Sequence, residues 1–498
     1  MRATRRGLSS LGPSHFGRSP WLAVTIAVAI ATGCTAPAPL ATTASTAPPA
    51  TTEPANSPAT ASAAIAPGSA VAGPAEATAG SPTIATSAIV PGAVNRTSIR
   101  LVATYDVNAT VHYGDRRVSA VSVMSVRNAS GGPIDRLELN TVTARIGSLR
   151  LGSVTVDGHA VAPSISDQTI LVPLGGVLPD GATATVRIAF RATLRSDLVG
   201  SNWLFTRTNG VIDANRWLPW VSLRRPFTRP NHGEPFYTAS SPYVRLRVTT
   251  DRTLRIAAAG VRTAVSGLTQ TFVARDVRDF NFAASPYYFV HSTTLGNTIV
   301  RVYAKAGYPV STVMSYARSA IARMGALLGT YPYRTFTVAQ SAGAYGMESP
   351  QMIWIPGGLS GSHLRWLVYH ESAHQWFYGI VGSDQAYQPF ADEAAADHLA
   401  RYLTGIWRSS RCSTARLDLS IYGYGATCYF EIIYIQGSAF LDGIRRRMGT
   451  TIYWRAMRDY VAAHRFGLGS TPALLNDLDA HTALDLRPTF ARRFPRFY

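Results

Sequence analysis

From about residue 95 to 290 the apolar positions recur with period two. Tyr105, Val107, Ala109, Val111 and Tyr113 alternate with polar neighbours, and Val186, Ile188 and Phe190 do so again, as does the run from Val244 to Val248. Such alternation places one side of a strand in a core and the other in water. Asp157-Gly158 and Pro179-Asp180-Gly181 supply turns between the runs. The pattern predicts an antiparallel β domain over 94–295, built as a sandwich of two sheets. After about residue 300 the period changes to that of a helix. Ser311 is placed to cap a helix whose inner side carries Val313, Met314, Ala317, Ile321, Met324 and Leu328, with Gly329 as its stop. Strands are expected over 335–340 and 352–356, and helices over 362–379, 392–403, 430–448 and 453–464. The class predicted is α+β, with a mainly α second domain over 296–498. There is no internal repeat, and no apolar run after the N-terminal stretch is long enough to span a bilayer.

The N-terminal stretch has neither period. Arg2, Arg5, Arg6 and Arg18 precede an apolar run from Trp21 to Ala31, the order of an export signal. It ends in Ala31-Thr32-Gly33-Cys34, which resembles the bacterial lipobox, so residues 1–34 are expected to be a signal with Cys34 as the lipidated residue. This predicts an exported chain anchored by lipid to the outer face of the cell membrane, or held in the periplasm. Residues 35–93 are almost all Ala, Thr, Pro, Ser and Gly and contain no aromatic side chain. They are expected to be a disordered linker, because they bury too little apolar surface to offset ordering entropy.

Composition narrows the partners. The formal charge is +19, and Lys305 is the one lysine among 47 basic residues. The arginines are scattered, with no basic stripe interleaved with aromatics, which argues against a nucleic-acid partner. Attraction to an anionic cell surface is the milder reading. Cys412 and Cys428 lie sixteen apart. In an exported chain they are expected to pair as a disulfide, with two free thiols as the alternative.

The strongest chemical signal is His370-Glu371-Ser372-Ala373-His374, followed after eighteen residues by Glu393. Residues four apart share a helix face, so both imidazoles reach one ion. Glu393 can supply a third ligand and leave the fourth position to water, the arrangement of a catalytic Zn²⁺, one per chain. Glu371, beside the first ligand, is placed to act as general base and then acid. Glutamate is scarce here, with only eight in 498 residues, and three of those are Glu348, Glu371 and Glu393.

Around these ligands the chain resembles the aminopeptidase N family of zinc metallopeptidases, relatives of leukotriene hydrolase. His370 through Phe377 is similar to the family's zinc helix, Asp392-Glu393 to its Asn/Asp-Glu pair, Gly346-Met347-Glu348-Ser349-Pro350 to its exopeptidase motif, and Tyr434-Ile435-Gln436-Gly437 to its Tyr-x-Lys-Gly. The resemblance covers roughly 95–498. It implies a saddle-shaped β domain followed by a thermolysin-like catalytic domain. It implies further that Glu348 binds the free amine of a peptide substrate, with Met347 and Gly346 lining the same cleft. Tyr434 would stabilise the oxyanion, with Tyr429 as a nearby competitor, and Asp397 would orient a zinc-bound histidine. Ser349, Gln436 and Ala394-Ala395-Ala396 depart from the family pattern. The chain also lacks the long C-terminal helical domain of larger relatives, which implies a more open cleft.

Three functions follow as expectations. The first is a cell-surface zinc aminopeptidase acting on peptides. The second is an endopeptidase of the thermolysin type, against which Glu348 argues. The third is a non-catalytic surface-binding lipoprotein on a peptidase scaffold, against which the intact Glu371 argues.

Overall fold

The computed structural model describes residues 87–227, 234–343 and 345–498. The expected signal, Cys34 and residues 35–86 of the expected linker lie outside the described residues. Residues 87–93 correct the linker's boundary. Val90 exchanges two backbone hydrogen bonds with Val177, at 2.9 and 2.8 Å, and Ala88 and Ile89 pack on the core. This close approach needs glycine opposite, since a Cβ on Gly176 would sit 2.5 Å from the Val90 carbonyl oxygen.

The alternating runs form the strands of an eight-stranded sheet. At its centre Leu101–His112 pairs antiparallel with Arg117–Asn128. On its other side it pairs parallel with Val244–Thr250. The sheet is therefore mixed, where period two alone suggested antiparallel pairing throughout. Side-chain alternation reports which face is buried and carries no information on strand direction. Two four-stranded sheets complete this half, one around Ile134–Asn140 and Thr169–Leu178, the other around Val211–Ala214 and Phe282–Ser285. The two-sheet sandwich expected from the pattern is thus three sheets.

The second half opens with a five-stranded sheet. Thr298–Ala304, Thr335–Ser341 and Met352–Pro356 run parallel. Phe289–Leu295 and the short strand Met347–Ser349 close its two edges antiparallel. Helix Val310–Leu328 joins the first two parallel strands and buries Val313, Ala317, Ile321, Met324 and Leu328, as the 3.6 period requires. Its cap position is Pro309, which places Ser311 inside the first turn.

Helices Gly361–Ala373 and Glu393–Thr404 pack against each other, and Gly437–Met448 packs on the latter. The first stops six residues before the expected end at 379. Past Ala373 the bonds shorten to the next turn, with Gln375 N–H on Ser372 O and Trp376 N–H on Ala373 O. The α+β class holds, with mixed sheets first and helices after.

The halves expected as separate domains belong to one compact unit, 82–498. Arg278 of the β half is buried and donates to the carbonyls of Thr238, Gly379 and Gly467. Gly382 makes room for it, since a Cβ there would lie 2.0 Å from Nη1. Among the described residues no helix is long and apolar enough to cross a membrane.

Candidate active site

Two histidines one helical turn apart open the site. His370 lies in helix Gly361–Ala373 and His374 caps it, while Glu393 begins the next helix. The two Nε2 atoms are 3.2 Å apart. Glu393 Oε2 lies 3.3 Å from the first and 3.4 Å from the second. A tetrahedral ion with bonds of about 2.0–2.1 Å separates its ligands by about 3.3–3.4 Å. The triangle has that size, and its donor set of two imidazoles and one carboxylate suits Zn²⁺. Glu393 Oε2 is moreover buried with no hydrogen-bond partner. The two imidazoles hold the Glu393 carboxyl well below the usual range despite its burial.

Each ring is aimed from behind. His374 Nδ1 lies 2.9 Å from Asp392 Oδ1 and 3.0 Å from Phe377 O, which turns Nε2 toward the triangle. Burial would lower the His374 pKa, but Asp392 and Glu393 raise it well above the usual value. Asp397, implied as the carboxylate behind a ligand, faces His370 Nδ1 from 3.7 Å. Its oxygens already accept from Trp366 Nε1 at 2.8 Å and from Arg401 Nε. The His370 ring is instead held between Trp366 and Tyr434, whose ring centres are each 5.3 Å away. Asp392 is therefore the tighter orienting carboxylate, and the sequence motif hid it by marking the pair only for its glutamate. Asp392→Ala is expected to weaken zinc binding about 10- to 100-fold, measured by competition with a chelating dye. Unchanged affinity would remove Asp392 from this role.

Glu371 lies buried under the loop that leads to Glu348. A Cβ on Gly346 would sit 2.2 Å from Glu371 Oε1, so only glycine lets this backbone lie on the carboxylate. Burial pushes the Glu371 carboxyl up to about 8, against the pull of both imidazoles. Glu348 projects from the edge strand Met347–Ser349, opposite Ile353. Glu348, Glu371 and His374 present ligand-type atoms within 4.8 Å of one another. Burial raises Glu348 to about 7, opposed by His374 and Arg216.

Two residues behind Glu348 carried no signal in the sequence. Gln385 donates to Glu348 Oε1 at 3.2 Å and to Asp392 Oδ2 at 2.7 Å, tying the two carboxylates together. Arg216 reaches in from the β half, 3.5 Å from Glu348 Oε1, and donates to Gln385 Oε1 at 2.9 Å. Its guanidinium lies over the rings of Phe236 and Tyr378. Half-buried Glu234 adds a further carboxylate, its pKa raised by burial and then by Glu348.

No protein-family model matches the sequence, and no curated protein does. Solved structures do match. An M1 zinc metallopeptidase from Deinococcus radiodurans, a mutant bound to the substrate Tyr-Ser-Ala, aligns at 18% identity with a TM-score of 0.62, over 82% of this chain and 97% of that one. A two-domain M1 zinc metallopeptidase mutant bound to L-tryptophan aligns at 18% with a TM-score of 0.62, over 82% and 96%. The Deinococcus enzyme without the mutation aligns at 18% with a TM-score of 0.58, over 79% and 93%. The fold is that of the M1 zinc metallopeptidases.

Within this M1 fold two phenols also stand near the ligand group. Glu431–Gln436 is a π-turn that runs into helix Gly437–Met448 and sets Tyr434 against His370, with ring planes 24° apart. Burial and then Glu393 raise the Tyr434 pKa well above its usual value. Tyr429, the competitor, is also here. Its ring centre lies 6.0 Å from that of Tyr434, and its buried hydroxyl has no partner among the described residues.

The departures from the family pattern have local causes. Gln436 turns away from the cleft, donating to Ser410 Oγ, Cys412 O and Ser413 O. The small side chain of Ala394 lets the helices approach closely, since a Cβ on Gly437 would meet Ala394 Cβ at 2.6 Å. Ser349 Oγ donates to Asp279 at 2.6 Å. Behind the π-turn a disulfide joins Cys412 and Cys428, and Arg408 and Arg411 both pair with Glu431.

The segment that leads to Gly346 and Glu348 is anchored at its start by Asp213, which is buried and accepts the Ala342 N–H at 2.8 Å. Burial pushes its carboxyl up to about 8, against the backbone N–H bonds. An unfolded aspartate releases its proton near pH ~3.9. Between those values the folded chain binds the extra proton, so stability falls as pH rises through the window. Asp213→Asn is expected to flatten that decline in Tm between about pH 5 and 8. An unchanged slope would assign the decline to other groups.

Proposed function

We propose that the chain is a zinc-dependent aminopeptidase that removes N-terminal residues from peptides. We further propose that it acts outside the cytoplasm, tethered to the membrane through a lipid on Cys34. The observation that carries the activity is the juxtaposition of Glu348 with Glu371 and His374, within 4.8 Å, beside a triangle sized for one Zn²⁺. A carboxylate there pairs with a free α-ammonium and leaves the first peptide bond at the base. The bound tripeptide and amino acid named for the structural neighbours are in keeping with this substrate class.

His370, His374 and Glu393 would hold the ion. When bound, zinc polarises a carbonyl and acidifies water to a pKa of about 7. Glu371 takes the proton of the attacking water and delivers it to the leaving amine. Glu348 holds the ammonium through charge-assisted hydrogen bonds, while Gly346 and Met347 wall the cleft. The Tyr434 hydroxyl donates to the developing oxyanion.

One observation favours the endopeptidase reading. Arg216, at 3.5 Å, offsets part of the Glu348 charge that an ammonium would otherwise meet. The test is a panel of aminoacyl-coumarin substrates beside their N-acetylated forms. Acetylation is expected to end cleavage. Glu348→Gln is expected to lower kcat/KM about 10- to 100-fold on free amines, the value of a charge-assisted hydrogen bond. Equal cleavage of acetylated and free substrates would replace the aminopeptidase with an endopeptidase. Zinc binding without hydrolysis of any peptide would leave a binding protein.

A further inference from the structure

The eight-stranded sheet has a second face, turned away from the core. Among the outward positions of its strands stand seven arginines and one carboxylate, Asp106. Arg245 and Arg247 share that carboxylate, and Arg117 pairs with Asp115 in the adjoining turn. Arg127, Arg150, Arg187 and Arg191 are exposed, with no carboxylate in ion-pair reach among the described residues. Arg150 and Arg191 are direct cross-strand partners. Like charges in that position cost stability unless an anion lies between them.

Strand register aligns a second feature with this pair. Thr269, Thr249, Thr110 and Ser119 are successive cross-strand partners, and Ser119 is followed by Arg191 and then Arg150. The row crosses six adjacent strands, about 24 Å at about 4.8 Å per step. A shallow depression of about 650 Å³ lies along it, with Arg150 and Arg191 toward one end and Arg247 toward the other. The hydroxyls of Thr249 and Thr269 are already in mutual contact at 2.8 Å.

We propose that this face binds an anionic polysaccharide, a sugar chain bearing carboxylate or phosphate groups. The arginines match its charges and the row of hydroxyls matches its sugar oxygens. A flat bilayer fits less well. The face is hollowed, and its outward positions carry no Trp, Tyr or Phe to enter an interface. Such binding would hold the cleft beside a polymer of the cell surface, independently of any lipid at the N-terminus.

The test titrates the full chain with polygalacturonate, with polyglutamate of matched charge, and with phosphatidylglycerol vesicles. Polygalacturonate is expected to bind about tenfold more tightly than polyglutamate, and to weaken as salt rises. Arg150→Ser with Arg191→Ser is expected to weaken it about tenfold, and Thr110→Val with Thr249→Val about threefold. Far-ultraviolet dichroism and Tm check that each variant folds. Equal affinity for polyglutamate would overturn the sugar assignment. Binding to vesicles without polygalacturonate would make the face a membrane contact. Variants that bind as the parent does would remove the face from the interaction.

Discussion

Replacing Glu371 with alanine is expected to lower kcat by about 10²- to 10⁴-fold, the contribution of a positioned general base, while zinc content is expected to match that of the parent. The separation of the two effects follows from geometry. The ion triangle is made by His370, His374 and Glu393 alone, at 3.2 to 3.4 Å. Glu371 stands beside that triangle without being part of it, its carboxylate against the Gly346 backbone. Its removal opens space beneath that loop without breaking a hydrogen bond of the ligands. Metal analysis and steady-state kinetics on the same preparation decide it. A variant that loses its zinc would mean that Glu371 helps hold the ion, and a fully active one would place the base elsewhere.

Stripping the metal is expected to have an effect as large. Dialysis against a chelator should end hydrolysis, and one equivalent of zinc should restore it. Stability should follow. Without an ion, Glu393 Oε2 is a buried carboxylate oxygen with no hydrogen-bond partner, between two imidazoles. A ligand present at a thousand times its dissociation constant stabilises the folded state by about 4 kcal/mol. The Tm of the stripped chain should therefore climb steadily as zinc is titrated back. A Tm indifferent to zinc would contradict the triangle as a metal centre, whatever the kinetics show.

The two experiments are informative together because the carboxylates of this site serve different ends. Glu393 is held ionised by two imidazoles. Burial biases Glu371 and Glu348 toward the proton, and a bound cation would reverse that bias by its own charge. Gln385 couples the halves of the arrangement by bonding both Glu348 and Asp392. A change at Glu348 therefore reaches the carboxylate behind His374.

What the sequence determined by itself rests on short-range geometry. The helical period alone places His370 and His374 on one face. The spacing to Glu393 leaves room for a turn and a second helix. Strict alternation marks Leu101–His112 as half-buried, because a strand with one side in a core must alternate. The glycine of the Gly346-Met347-Glu348 motif was visible, but its reason was not. That reason is the Glu371 carboxylate lying 2.2 Å from where a Cβ would be.

Only the tertiary structure decided the rest. Val244–Thr250 takes its place parallel to Leu101–His112, a choice that alternation cannot express. Asp392, rather than Asp397, lies within hydrogen-bond distance of a ligand ring, because the turn after Ala373 brings His374 Nδ1 to it. Arg216 arrives at Glu348 from the other half of the molecule. Periodicity is enforced by neighbours a few residues away, whereas these contacts depend on which surfaces bury one another across 18 residues for Asp392 and more than a hundred for Arg216 and the parallel strand pair. No local pattern records that choice.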